Sequence, residues 1–499
     1  MLTPRHLLAG SAALLLTACN GAAPPAESAN RHYGDIAFQP CTLTNRYVGN
    51  NVQAQCARFE VAESPQAPEG RRIALNLAWL PATSEGAATD DPVFFLAGGP
   101  GQAAVDVWPS IDAAFGEVRK QRHVILVDQR GTGQSHPLRC LDAEGNNAYA
   151  DITDPSEEAN RRFAQRCAER LDADTRFYTT TDAVRDLDAV RQALGAETIN
   201  LIGGSYGTRV AQQYAMRHPQ HTRAIVLDGV VPNALALGSE HARNLDEALA
   251  LQFQRCQQLP ACAERFGSDL REQLRSLMLR LAQQPQSVQY RDPSTGELKQ
   301  GTLEASSVAG LTRMFSYAPQ AAALLPLVLN EADQGRYAPL MSLAHMLSDQ
   351  LGDQFMHGMQ LSVICAEDAD LLQSTPSNLD TVLGDVMNVA IKTQCAAWPT
   401  GQRPEDFHAP LATDVPALLL SGELDPVTPP RYGEQVVEHL PNGRHLTLRG
   451  QGHGTFAVGC VPKLMGQFLE NADAKALDAS CLDTLDYVPP FTSFNGWEP

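Results

Sequence analysis

Short apolar runs rich in branched residues, each running into a loop, recur along this 499-residue chain and constrain its fold more than any other feature. They are RRIALNLAWL at 71–80, VFFLAGG at 93–99, HVILVDQRG at 123–131, INLIGGS at 199–205 and AIVLDG at 224–229. Runs of this length without polar alternation read as strands buried on both faces, with loops at their C-terminal ends. Between the later ones lie helical patterns such as TTDAVRDLDAVRQALG at 180–195. There Ala183, Leu187, Val190 and Leu194 repeat at helical spacing, Thr180 or Thr181 caps the start and Gly195 stops it. Strand alternating with helix predicts a mostly parallel sheet covered on both sides.

The rhythm breaks after DGVVPNA. From about 233 to 395 the chain reads mainly as amphipathic helices, with one strand-like run, MQLSVICAED, near the end. Strand signals resume with VPALLLSGELD at 415–425 and RHLTLRGQGHG at 444–454. The simplest organisation is a sheet core at 36–232, a helical cap at 233–398 and the rest of the core at 399–499.

The stretch INLIGGSYG places a serine, Ser205, among glycines at the end of such a strand. In G-x-S-x-G the serine sits on a sharp strand-to-helix turn that needs neighbours almost without side chains. Chance alone produces the pattern in roughly one chain of this length in six, so context has to decide. A serine hydroxyl becomes a nucleophile when a base takes its proton, and the base needs an acid to fix its orientation. On a sheet of this kind the order along the chain is Ser, then Asp or Glu, then His. Asp425 follows PALLLSGEL, with Glu423 as a competitor in the same loop, and His453 follows HLTLRGQG between two glycines. An oxyanion needs backbone N–H donors, one from the residue after the nucleophile, Tyr206, and one from the GGPGQ loop at 98–102, where Gly99 is the candidate. A phosphate cradle is disfavoured there, because Pro100 lacks an N–H and no Walker-type lysine follows.

A net charge of −19 repels phosphate backbones, so nucleic acid is excluded as a natural partner. The N-terminus has a basic Arg5, an apolar run from Leu7 to Leu16 and then small residues, the pattern of an export signal at 1–18. Leu16-Thr17-Ala18-Cys19 resembles a bacterial lipobox, which makes Cys19 the lipidated first mature residue, followed by a tether at 19–35. Asn20 fits outer-membrane sorting, facing the periplasm. Ten further cysteines fall into five neighbouring pairs, Cys41 and Cys56, Cys140 and Cys167, Cys256 and Cys262, Cys365 and Cys395, Cys460 and Cys481. In an oxidising compartment sequential disulfides are the expectation. Zinc-like spacing is missing, so neither metal nor cofactor is expected.

GGPG, DQRGTGQS at 128–135, GGSYGT at 203–208, LDGVV at 227–231, DPVTPP at 425–430 and GQGHG occur in this order. Together they resemble the prolyl aminopeptidase and tripeptidyl aminopeptidase branch of the α/β-hydrolases, over about 70–485. The resemblance implies an α/β-hydrolase fold with an inserted helical cap over the site and removal of residues from a peptide's free N-terminus. Ala97 stands where prolyl aminopeptidases carry histidine, which favours the secreted tripeptidyl-like subgroup. Such enzymes hold the substrate ammonium with carboxylates of the cap or rim, since a desolvated cation needs an opposite charge. Glu367 and Asp368 are the candidates, with Glu240 behind them; an acidic run on a solvated face is the competing reading. A carboxylesterase or lipase using the same triad is the alternative activity, and a non-catalytic binding lipoprotein the third.

Overall fold

The structure, a computed structural model, describes residues 30–496 apart from 46–48, 85, 87, 149–155, 352–354, 374–377 and 379. The export signal, Cys19 and all but the end of the tether lie outside the described residues.

The strands are β1 (Arg31–Tyr33), β2 (Ile36–Asn45), β3 (Asn50–Ala62), β4 (Arg72–Leu80), β5 (Val93–Leu96), β6 (Val124–Val127), β7 (Ile199–Gly204), β8 (Thr222–Asp228), β9 (Gln286–Arg291), β10 (Leu298–Leu303), β11 (Ala417–Gly422) and β12 (Gly443–Leu448). Among the described residues, ten of them form one sheet in the order β1-β2-β3-β4-β6-β5-β7-β8-β11-β12. The pairs from β6 through β12 are parallel, whereas β1 to β4 and the β4–β6 pair are antiparallel.

The period of two along these strands divides the interior into two cores. Phe94, Leu96, Leu201, Ile225, Leu227 and Leu419 face one side, with Val210 and Tyr214 of the helix Tyr206–Arg217. Val93, Phe95, Ile202, Val226, Leu418 and Leu420 face the other, with Trp108 of the helix Ala104–Ile111. The helices that follow β5 and its neighbour β7 thus lie on opposite faces. The C-terminal ends of two such strands are the place where open α/β sheets bind ligands.

The expected helix at 180–195 spans Thr180–Ala193, but Thr179 caps it, in a reciprocal capping box with Asp182. The insertion is helical with an unforeseen hairpin, β9 and β10, and has its own core, including Leu245, Phe253, Leu274, Leu311 and Leu327. Its expected strand is a helix, His357–Glu367. Gly358–Met359 and Leu361–Glu367 are buried, so the run shows no polar face, and periodicity cannot separate a strand from a helix enclosed on all sides. Met359, Val363 and Ile364 pack into the sheet core. The Cys365–Cys395 disulfide ties this helix to Val386–Cys395. The end of the segment expected as cap therefore packs into the sheet core.

All five disulfides join the neighbouring cysteines as expected. Cys41–Cys56 crosslinks β2 and β3, strands whose half-exposed residues hid them from a search for apolar runs.

Candidate active site

Ser205 is the hinge between β7 and the helix that follows, with φ +54° and ψ −125°, the left-handed side that a non-glycine residue rarely occupies. Its amide donates to the carbonyl of Asp228 at 2.8 Å, anchoring the turn to β8. Gly207 has no room for a side chain, because a Cβ would collide with the carbonyl of Leu96. The serine itself is half-buried and reachable.

The loop after β5 lies against the nucleophile: a Cβ on Gly98 would stand 3.1 Å from that of Ser205. Asp128, at the end of β6, holds this region by accepting from the amides of Val105 at 2.9 Å and Gln134 at 3.2 Å and from Asn76 Nδ2 at 2.9 Å. Gly98 itself lies beside Ser205 and the Gly204 carbonyl. Tyr206 begins the helix, where the backbone N–H groups have no acceptor within the helix. These are the two places from which oxyanion donors have to come.

Asp425 and His453 meet. His453 Nδ1 donates to Asp425 Oδ2 at 2.8 Å, which fixes the tautomer and leaves Nε2 as the basic nitrogen. The buried carboxylate also accepts from the amides of Val427 and Thr428, each at 2.8 Å, and from Thr428 Oγ1 at 2.7 Å. Burial works to raise the Asp425 carboxyl, but His453 and these donors outweigh it and hold its pKa below the usual range. Burial likewise works to lower the His453 imidazole, and the charge and hydrogen bond of Asp425, aided by Asp228, turn the balance upward. Glu423, the competing acid, accepts instead from the Gly450 amide at 2.8 Å and Tyr487 OH at 2.9 Å.

The cap touches this pair directly. The carbonyl of Tyr317 accepts from the His453 amide at 2.8 Å, and its ring packs edge-on against the imidazole at 5.2 Å. His241, the first residue of the helix His241–Gln258, is pushed down to about 3 by burial, then by Arg313 and His453, and is neutral.

The three carboxylates expected to hold a substrate amine separate into two groups. Glu240 stands at the start of that same cap helix, its side chain 35% exposed, and accepts from Tyr432 OH at 2.7 Å and Arg431 Nη2 at 3.3 Å. Glu367 and Asp368 are enclosed, and the expectation for them is corrected. Glu367 accepts from the Thr180 amide at 2.6 Å and from Thr180 Oγ1 at 2.9 Å, while Asp368 pairs with Arg209 at 2.8 Å; both acids are 0% exposed. They join the end of the helix His357–Glu367 to Thr180 and to Arg209 of the helix Tyr206–Arg217. The acidic pair looked solvated because the apolar run before it read as a strand ending in a loop.

Sequence reasoning missed Thr428, Asp228 and Tyr317. The first two lay inside quoted motifs, DPVTPP and LDGVV, at strand ends, and that position was the available signal. Tyr317 had none, lying at a helix end within a long insertion.

The family model described as alpha/beta hydrolase fold matches residues 91–459. A protein named Serine protease Hip1 from Mycobacterium tuberculosis strain H37Rv is 26% identical over 486 residues, covering 89% of this chain and 91% of its own. A tripeptidyl aminopeptidase from Streptomyces coelicolor is 24% identical over 463 residues, covering 86% and 83%. A protein named Carboxylesterase B from Mycobacterium tuberculosis strain CDC 1551 is 29% identical over 458 residues, covering 84% of each chain. The protein is a serine hydrolase, and the chain belongs to the alpha/beta hydrolase family.

Proposed function

We propose that the protein is a serine exopeptidase that cleaves peptides from a free N-terminus through an acyl-enzyme. The observation that carries this reading is the Asp425–His453 pair at 2.8 Å, hung from the sheet edge that also bears the Ser205 turn and roofed by a cap bearing Glu240. Names among the relatives, a serine protease and a tripeptidyl aminopeptidase, support the peptide as substrate.

In this mechanism His453 Nε2 takes the proton of the Ser205 hydroxyl as Oγ attacks the scissile carbonyl carbon. The amides of Tyr206 and Gly99 receive the oxyanion. Collapse of the tetrahedral intermediate breaks the C–N bond, and the imidazolium gives its proton to the leaving amine. Water then loses a proton to His453, attacks the acyl carbon and frees the N-terminal fragment, returning the proton to Ser205. No cofactor enters these steps. Glu240 is the carboxylate left to hold the substrate ammonium.

The same reading places the protein outside the cytoplasm, lipid-anchored through Cys19 to the outer membrane and facing the periplasm. Five disulfides support an oxidising compartment.

The test pairs substrates. Peptidyl anilides with a free amine should be hydrolysed and their amine-blocked counterparts should not, with Ser205→Ala abolishing the activity. Rapid turnover of simple esters with none of anilides would establish the esterase reading, which one relative's name favours.

A further inference from the structure

β8 lies between the strand that carries the nucleophile and the strand that carries the acid, and its last residue is Asp228. The Asp228 carbonyl accepts from the Ser205 amide at 2.8 Å. Its side chain turns to a different loop. Oδ2 accepts from the Thr455 amide at 2.6 Å and the Phe456 amide at 2.9 Å, and Oδ1 accepts from Thr455 Oγ1 at 2.8 Å. Thr455 and Phe456 follow His453 by two and three residues and are buried, as is Asp228 at 1% exposure.

Two further contacts tighten the same junction. A Cβ on Gly229, the next residue of the chain, would stand 3.2 Å from His453 Cε1. The Phe456 ring reaches back to the nucleophile turn, where a Cβ on Gly204 would meet it at 3.2 Å, and packs against Phe115 with centroids 5.7 Å apart. The loop that bears the imidazole is therefore pinned to the residue whose carbonyl pins the serine.

We propose that Asp228 is a positioning residue that sets the placement of His453 relative to Ser205, its backbone holding one and its carboxylate the loop of the other. This rests on the assignment of Ser205 and His453 as nucleophile and base. A buried carboxylate is costly unless hydrogen-bonded, and here all three bonds are spent on one loop rather than on a cation. Reaction between two groups needs their placement to a fraction of an ångström, and a misplacement of about 1 Å costs on the order of 100-fold. The carboxylate has a second consequence. Burial raises its pKa to about 6, against its hydrogen bonds and His453, so above that pH it adds a negative charge that favours the imidazolium. The other charged and titratable groups acting on His453 are Asp425 from the acid loop and Arg313 from the cap; neutral His241, at the start of the cap helix, is also close.

The experiment compares Asp228→Ala, Asp228→Asn and wild type in the full chain by kcat and KM from pH 5 to 9, with thermal melting as the control for folding. Asparagine keeps an oxygen for the two amides but removes the charge. For alanine, kcat should fall by about 100-fold with KM nearly unchanged, and labelling of Ser205 by a fluorophosphonate should slow in parallel. For asparagine, kcat should fall by only about fivefold and the acid limb of kcat/KM should move to lower pH. A folded Asp228→Ala enzyme with kcat within threefold of wild type, or an asparagine variant with an unmoved acid limb, overturns the proposal. If the alanine variant does not fold, the asparagine limb decides. The Ser205→Ala measurement separates the two levels: an active Ser205→Ala enzyme refutes the triad, whereas an inactive one beside a fully active Asp228→Ala enzyme refutes only the role given to Asp228.

Discussion

Thr428 Oγ1 lies 2.7 Å from Asp425 Oδ2 and 3.1 Å from His453 Nδ1, so one hydroxyl touches both partners of the acid–base pair. Its proton goes to the carboxylate, which leaves the carboxylate oriented while the imidazole N–H shares the same oxygen. Removing it leaves Oδ2 with the imidazole while the Val427 and Thr428 amides still hold Oδ1, and lowers the precision with which the imidazole is held. Thr428→Ala should reduce kcat/KM about tenfold, the effect of losing roughly 1.4 kcal/mol from a hydrogen bond to a charged group, and Thr428→Ser should restore most of it. Steady-state kinetics on one anilide substrate checks both.

The raised pKa of His453 sets the acid limit of activity. A general base works only when deprotonated, so kcat/KM should fall on the acid side with a midpoint above about 6.5, the ordinary value for histidine. Asp425 supplies the largest part of the upward shift, and Asp425→Asn should move the limb to lower pH while reducing kcat on the order of 10,000-fold, because the tautomer is no longer fixed. A limb that stays in place in Asp425→Asn would contradict the origin given for the shift.

The strands that carry the site were legible because burial on both faces leaves a continuous apolar run, as in VFFL of β5 and ALLLSG of β11. The Ser205, Asp425 and His453 order was legible because the first two follow such runs and His453 follows the half-exposed β12 between two glycines. β2 and β3 were not, since residues such as Gln39, Thr42 and Gln53 face solvent between the apolar ones and the pattern looks like loop. Cap residues are harder still. Tyr317 reaches His453 through tertiary packing of an insertion whose local pattern says only that it is helical, so its contact with the site has no local signature.

Glu367 makes stability fall with rising pH. Burial, followed by the charge of Asp368, pushes its pKa up to about 8 against the pull of Arg209 and Thr180. An unfolded glutamate has a pKa near 4.3, so between those values the folded state binds more protons than the unfolded state and the slope of stability against pH is negative. The melting temperature should therefore drop from pH 5 to pH 8 through this group. Glu367→Gln, which keeps an acceptor for Thr180 and carries no charge, should flatten that drop and melt a few degrees higher at pH 8. Calorimetry of both proteins across the range checks it, and parallel curves would contradict the assignment.

Glu240 is the remaining test of how a substrate amine is held. Among the described residues, Tyr432 OH and Arg431 Nη2 both donate to its Oε2, and under the proposed function Oε1 is the oxygen that would meet an incoming ammonium. Arg431 withdraws part of its charge, and the side chain is in contact with solvent, which limits the attraction. Glu240→Gln should raise KM for free-amine substrates about tenfold and leave kcat within about twofold, because the contact is made equally in the ground and transition states. Amine-blocked anilides, which are not hydrolysed, act as competitive inhibitors, and their inhibition constants should be the same for the two proteins. Comparing KM for free-amine anilides with the inhibition constants of their blocked counterparts therefore isolates the charge on Glu240 from any general damage to the cap, and equal losses on both would assign it to holding Arg431 and Tyr432 at the junction of cap and acid loop.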